Sequence, residues 1–141
     1  MTAELAIVIP TFNERDNIER VHAGLVRVLD GYKWEALFVD DDSPDHTAAV
    51  VRALALQDAR VRCLSRLGRR GLASACIEGI LATTAPVICI LDADLQHDES
   101  IIPAMLKRLR EDDLELVVAT RYADAGGMGS LTPGRDRKSV V

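Results

Sequence analysis

Val87-Ile88-Cys89-Ile90-Leu91-Asp92-Ala93-Asp94-Leu95-Gln96 is the stretch on which the reading of this chain turns. An apolar run with no strongly polar side chain stops abruptly at two carboxylates and an amide. Such a run reads as a strand buried on both faces, the habit of parallel sheets. Asp92, Asp94 and Gln96 follow at period two, so an extended backbone projects all three to one side. Oxygen donors converging where a buried strand meets solvent suit a hard divalent cation, Mg2+ or Mn2+. Asp-x-Asp is also an ordinary solvated turn, and the flanking chain has to separate the two.

Working outward, the same pattern recurs. Leu5 to Ile9 is a β-branched apolar run stopped by Pro10, and Ala36-Leu37-Phe38-Val39 is another, closed by Asp40, Asp41 and Asp42. Val61 to Ser65 predicts a third strand, the opening stretch a fourth and Leu114 to Thr120 a fifth. Between them lie helical stripes: Ile18, Val21, Leu25, Val28 and Leu29 behind a cap at Asn13 or Asp16 and ended by Gly31; a helix capped by Ser43-Pro44 and running to about Gln57; Leu72, Cys76 and Ile80; and Ile102, Met105, Leu106 and Leu109 behind Ser100. Alternating strands and amphipathic helices predict a three-layer α/β/α fold with a mostly parallel sheet and right-handed crossovers. Such sheets bind ligands at the carboxyl ends of their strands. Thr11 to Glu14, Asp40 to Ser43, Asp92 to Gln96 and Arg121-Tyr122 all follow strand ends, so the fold gathers them at one edge.

Composition narrows the class. The 141 residues fit one domain with a sizeable core, 48% of them apolar and 28% charged. A net charge of −5 argues against a general nucleic-acid binder, whose footprint is basic. Cys63, Cys76 and Cys89 lie far apart without a Cys-x-x-Cys pair and read as reduced, buried thiols of a cytosolic protein. The N-terminal residues lack a basic region, and no apolar stretch approaches the roughly 20 residues that span a bilayer. The sequence as given reads as soluble.

Five blocks then occur in order: Ile9-Pro10-Thr11-Phe12-Asn13-Glu14, Val39-Asp40-Asp41-Asp42-Ser43-Pro44-Asp45-His46-Thr47, Gly71-Leu72-Ala73-Ser74-Ala75, Leu91-Asp92-Ala93-Asp94-Leu95-Gln96-His97 and Thr120-Arg121-Tyr122. Together they resemble the family 2, GT-A-fold glycosyltransferases, in the branch of dolichol-phosphate (polyprenol-phosphate) mannose synthases and bactoprenol glucosyltransferases. The likeness runs from about Leu5 to Tyr122. It implies a hexosyltransferase that moves mannose or glucose from a nucleotide-diphosphate sugar, GDP-mannose or UDP-glucose, to a polyprenyl or dolichyl phosphate with inversion.

By that resemblance Pro10, Phe12, Glu14, Val39 and Asp41 line the nucleoside pocket, with Asp40 and Asp42 left open. Asp92, Asp94 and Gln96 hold the metal on the donor diphosphate beside Ala93, and Asp92 and Asp94 serve catalysis through it. The cation neutralises charge growing on the leaving nucleoside diphosphate. Arg121 contacts the acceptor phosphate or the donor diphosphate, and Arg135 with Ser139 contacts the acceptor phosphate. A phosphate nucleophile is ionised at neutral pH, so no general base is named. His97 reads as a loop residue, and Arg66, Arg69 and Arg70 as a solvated basic loop.

The chain departs from the family pattern at Phe12, where Tyr is frequent, and at His46, where Gly is frequent. It also stops where the family continues into an acceptor-binding part. The expected organisation is a nucleotide-sugar-binding domain over residues 1–122 and a Gly-rich loop with a basic tail over 123–141, truncated at its C-terminus. The full-length protein would then work at the cytoplasmic face of the membrane. The competing reading is a catalytically incomplete nucleotide-diphosphate-binding module. A dinucleotide-dependent oxidoreductase would need Gly-x-Gly-x-x-Gly where Pro10-Thr11-Phe12-Asn13 stands. A haloacid-dehalogenase-type phosphatase would carry Asp-x-Asp after its first strand rather than its fourth.

Overall fold

The computed structural model describes residues 2–120. They divide into two units, one running through Ser100 and a second beginning at Ile101. The first unit holds β1 (Leu5–Thr11), α1 (Ile18–Val28), β2 (Trp34–Asp40), α2 (Thr47–Ala55), β3 (Val61–Ser65), α3 (Leu72–Leu81) and β4 (Val87–Ile90). The second holds α4 (Ile102–Glu111), whose Ile102 and Leu106 are buried.

All ladders are parallel, and the strand order is β3-β2-β1-β4. The chain steps outward from β1 to β3, then returns across the sheet to place β4 on the far side of β1. With right-handed crossovers, that reversal puts α1 and α2 on one face and α3 on the other. Accordingly α1 touches α2, α2 packs on β3 and β2, and α3 packs on β1 and β2. The expected parallel α/β/α layering is observed, and the switch point lies between β1 and β4, where such sheets open a crevice.

Burial follows from that order. β1 and β2 are central, and Ile7, Val8, Ile9, Phe38 and Val39 are fully buried. On the α3 face Val8, Leu37, Val39 and Ala75 form one cluster, with Leu64, Ile88 and Ile90 against it. Close approach there depends on Gly79, since a Cβ would meet Val8 Cγ1 well inside contact and Val39 Cγ2 at 3.1 Å. The expected stripe on α3 is therefore displaced. Ala75 and Gly79 face the sheet, whereas Leu72, Ile77 and Leu81 are exposed.

Several sequence expectations are corrected. The opening stretch is not a central strand buried on both faces. β4 pairs with β1 alone among the described strands, and its four residues are half-buried. β1 does not stop at Pro10 but continues through Thr11 against β2. Val8 turns its carbonyl toward Leu91 (3.0 Å), so Pro10, two residues on, turns its missing N–H to the side where the β4 ladder has already ended. Residues 114–120 form no strand, because their apolar pattern has no ladder partner among the described residues.

Two helix starts also move. Ser43-Pro44 does not cap α2. The Ser43 N–H and hydroxyl both donate to Asp40 (3.0 and 2.6 Å), and the helix begins at Thr47, whose N–H donates to Asp45 Oδ1 (3.0 Å). His46 precedes it with φ +68°, a left-handed conformation that explains why glycine suits this place. Ser100 donates its own N–H to Asp98 Oδ1 (3.0 Å) within a 3-10 turn, and α4 starts at Ile102 with Pro103 in its first turn.

Candidate functional site

The loops after β1, β2 and β3 build a pocket of about 260 Å3 lined by Pro10, Thr11, Phe12, Asp41, Arg70, Gly71, Leu72 and Ala75. Pro10 and Thr11 end β1, Asp41 follows β2, and Ala75 and Leu72 belong to the first turn of α3. Its lining mixes apolar groups (Pro10, Phe12, Leu72, Ala75) with a few polar ones (Thr11, Asp41, Arg70), a common balance for a small-ligand site.

Asp41 is the buried charge of this pocket, 6% exposed. Its Oδ2 accepts the Gly71 N–H at 2.8 Å, and its Oδ1 lies 3.4 Å from Arg66 Nη1 but accepts no hydrogen bond. A buried carboxylate oxygen with unused acceptor capacity is costly unless a ligand donor completes it. Arg66, expected in a solvated basic loop, is instead 2% exposed. It donates to Gly71 O (3.2 Å) and Ser74 Oγ (2.7 Å), and its Nε lies 3.6 Å from Glu78. Its burial ties the loop after β3 to the end of β2 and the start of α3. Arg69 pairs with Glu78, and Arg70 stacks over the Phe12 ring, its guanidinium carbon 4.4 Å from the centroid.

Of the other expected nucleoside residues, Glu14 accepts from Asn17 Nδ2 (2.8 Å) while its N–H donates to Thr47 Oγ1 (3.1 Å). The Val39 side chain is fully buried against α3. Neither lines the pocket. Asp40 is structural: buried, it accepts from the Thr11 hydroxyl (3.1 Å) and from Ser43.

The acidic stretch after β4 is a loop, not an extended strand, and Leu95 adopts φ +61°. The period-two projection of Asp92, Asp94 and Gln96 therefore does not hold. The turn instead gives the Gln96 N–H to Asp94 Oδ1 (3.0 Å) and brings His97 Nδ1 within 3.6 Å of Asp92 Oδ2 and 3.8 Å of Asp94 Oδ1. One ligand atom from each of Asp92, Asp94 and His97 lies within 4.8 Å of the others. Two carboxylates and an imidazole at that separation fit a divalent cation such as Mn2+. The sequence reads His97 as a loop residue because a hard cation does not call for imidazole, and sequence spacing does not show the turn that brings it beside Asp92 and Asp94. Ala93 is buried beneath the loop.

Cys76 links the two halves of the edge. Its thiol is pushed up first by burial and then by the carboxylates of Asp92 and Asp41, which the parallel ladders place at the same edge of the sheet, after β4 and β2. Cys63, Cys76 and Cys89 are free thiols, and burial pushes Cys89 up to about 11. Arg121, Arg135 and Ser139 lie outside the described residues. Among those described, no helix is long and apolar enough to cross a membrane.

A parallel sheet carrying an apolar pocket and an acidic loop at its switch point is the GT-A arrangement of nucleotide-diphospho-sugar transferases. The chain belongs to glycosyl transferase family 2, whose family model matches residues 6–138. It is similar to the dolichol-phosphate mannosyltransferase of Pyrococcus furiosus, 32% identical over 123 residues, covering 87% of this chain and 34% of that protein. The dolichol-phosphate mannosyltransferase of Saccharomyces cerevisiae is 34% identical over 137 residues, covering 94% of this chain and 50% of that one. Among solved structures, the mannosyltransferase PcManGT from Pyrobaculum calidifontis, in complex with GDP-Man and Mn2+, superposes with a TM-score of 0.67 at 26% identity, covering 79% of this chain and 33% of that one. The chain thus spans between a third and a half of the length of these relatives.

Proposed function

We propose that the chain is the donor-binding part of a metal-dependent glycosyltransferase that moves a hexose from a nucleoside-diphosphate sugar to a polyprenyl phosphate. The observation that carries this is the buried Asp41 oxygen without a hydrogen bond, set in the wall of a pocket on the same sheet edge as the Asp92-Asp94 loop. Asp41 accepts a donor from the nucleobase or ribose, Pro10 and Phe12 offer apolar surface to the base, and Arg70 meets its edge or the diphosphate. Glu14 and Val39 act behind this wall, through the turn after β1 and the packing under α3.

Asp92 and Asp94, with Gln96 or His97, hold Mg2+ or Mn2+ against the diphosphate. When bound, the cation stabilises the charge that develops on the departing nucleoside diphosphate. Ala93 closes the floor of that loop. Arg121, Arg135 and Ser139 are assigned to the acceptor phosphate, which arrives as an anion and needs no base to activate it. Such an acceptor implies work at a membrane surface, and a nucleotide-sugar donor points to its cytoplasmic face. Calorimetric titration with GDP and UDP, with and without Mn2+, tests the donor site, and sugar transfer to a polyprenyl phosphate tests the reaction. Failure of both diphosphates to bind sinks the reading. Binding without transfer restricts this chain to a donor-binding module.

A further inference from the structure

The acidic loop has an anchor at each end, and the second is unusual. At its start, the Leu91 N–H donates to Val8 O at 3.0 Å. At its end, Glu99 reaches α1 at Gly24, a buried glycine inside the helix, where glycine is disfavoured relative to alanine. The place of a Cβ at Gly24 is taken by the Glu99 carboxylate: Oε1 stands well inside contact distance, Cδ at 2.8 Å and Cγ at 3.1 Å. Arg27, one turn along α1, lies 3.5 Å from the same Oε1, and Glu99 keeps 25% of its side-chain exposure.

Between the anchors, Asp92, Asp94 and His97 face solvent, and two local bonds turn the loop: Gln96 N–H to Asp94, and Ser100 N–H to Asp98. Two like-charged carboxylates held together without a cation favour spreading apart. A tie from the end of the loop to α1, such as that of Glu99, opposes that spreading.

We propose that Glu99, seated on Gly24 and paired with Arg27, is the positioning residue that presets the Asp92-Asp94 loop for its cation. The proposal rests on the reading that this loop holds a divalent metal. Glu99 touches neither metal nor nucleotide; it lowers the ordering cost that metal binding would otherwise carry. Gly24 is glycine because the carboxylate fills its Cβ position.

The test uses this chain, Mn2+ titration and 15N relaxation of the metal-free loop amides. Glu99→Ala and Gly24→Ala should each lower the heteronuclear NOE of residues 93–97 and weaken Mn2+ about tenfold, the low end of the 10–100-fold range for supporting residues. Glu99→Gln, which keeps the shape and an oxygen for Arg27, should recover most of the affinity. In a Glu99→Ala background, Gly24→Ala should add nothing, because the new methyl then meets no carboxylate. Metal-free GDP or UDP affinity should stay unchanged in all variants, since that pocket is built elsewhere. Unchanged Mn2+ affinity and loop NOE in Glu99→Ala, or additive losses in the double variant, overturn the proposal. If the wild-type chain takes no Mn2+, the metal reading falls, and the NOE comparison still decides whether Glu99 orders the loop.

Discussion

Replacing Arg66 with methionine removes the one buried cation that faces Asp41 among the described residues. Arg66 is 2% exposed and Asp41 6%, so neither charge is appreciably relieved by water. The substitution deletes the bonds to Gly71 O and Ser74 Oγ and the 3.4 Å ion pair, leaving Asp41 with the single Gly71 N–H bond. Breaking a buried pair from one side costs about 3–5 kcal/mol, since the remaining charge is stranded. A domain of this size has about 5–15 kcal/mol in total, so the variant should lose a large fraction of its stability. Asp41→Asn in the same background removes the stranded charge and should return about half of the loss. Urea denaturation followed by the fluorescence of Trp34, the single tryptophan, measures both. A loss below about 1 kcal/mol, or an equal loss in the Asp41→Asn background, refutes the claim that the pair is buried and coupled.

Three further outcomes are expected. Asp94→Ala should abolish the Mn2+ enhancement of nucleotide binding while shifting stability by less than about 0.5 kcal/mol, because its side chain faces solvent; calorimetry and thermal melts check the two halves. Asp58 lies 2.8 Å from His22 Nε2 and 2.7 Å from Arg60 Nη2, and the Arg60 hydrogen bonds hold its carboxyl well below the ordinary range. A depressed folded pKa means stability that is complete above the unfolded value near 3.9 and is lost as pH falls below it, so urea midpoints from pH 7 to pH 2 should fall less steeply at the acid end for Asp58→Asn than for wild type. Gly79→Ala presses a methyl onto Val8 and Val39; overpacking of about 1–3 kcal/mol against about 1 kcal/mol of regained helix propensity predicts a net loss of up to about 2 kcal/mol by the same denaturation, and a net gain would refute the close approach.

The layering was legible because it is written in periodicity. Ile18, Val21 and Leu25 announce α1, and β-branched runs announce β1 and β2. What the pattern does not carry is neighbour count. Val87 to Ile90 is as apolar as β1, yet among the described residues it is a half-buried edge strand, and no local feature of four apolar residues distinguishes one partner strand from two. Left-handed residues were equally opaque: His46 and Leu95 each redirect the chain by one backbone angle, delaying α2 and bringing His97 round to Asp92. Arg66 was misread because its environment is non-local. Arg66-Leu67-Gly68-Arg69-Arg70 looks like a solvated basic run until Asp41, far upstream, and Ser74 are placed beside it.

The three successive aspartates show how the fold turns a local conflict into a site. Adjacent carboxylates repel, and a turn that needed one cap would not keep three. The chain separates them by giving each its own donors: Thr11 and Ser43 to Asp40, Gly71 to Asp41, and Gly68 to Asp42, whose φ of +56° swings it outward. Asp40 is completed within the protein, and Asp42 is in water. Asp41 alone of the three is buried with an oxygen that accepts no hydrogen bond, and it stands in the pocket wall. A fold that needed only charge dispersal would have exposed or completed it. Arg66 at 3.4 Å balances its charge, but the hydrogen-bond capacity of that oxygen stays unused until a ligand supplies a donor.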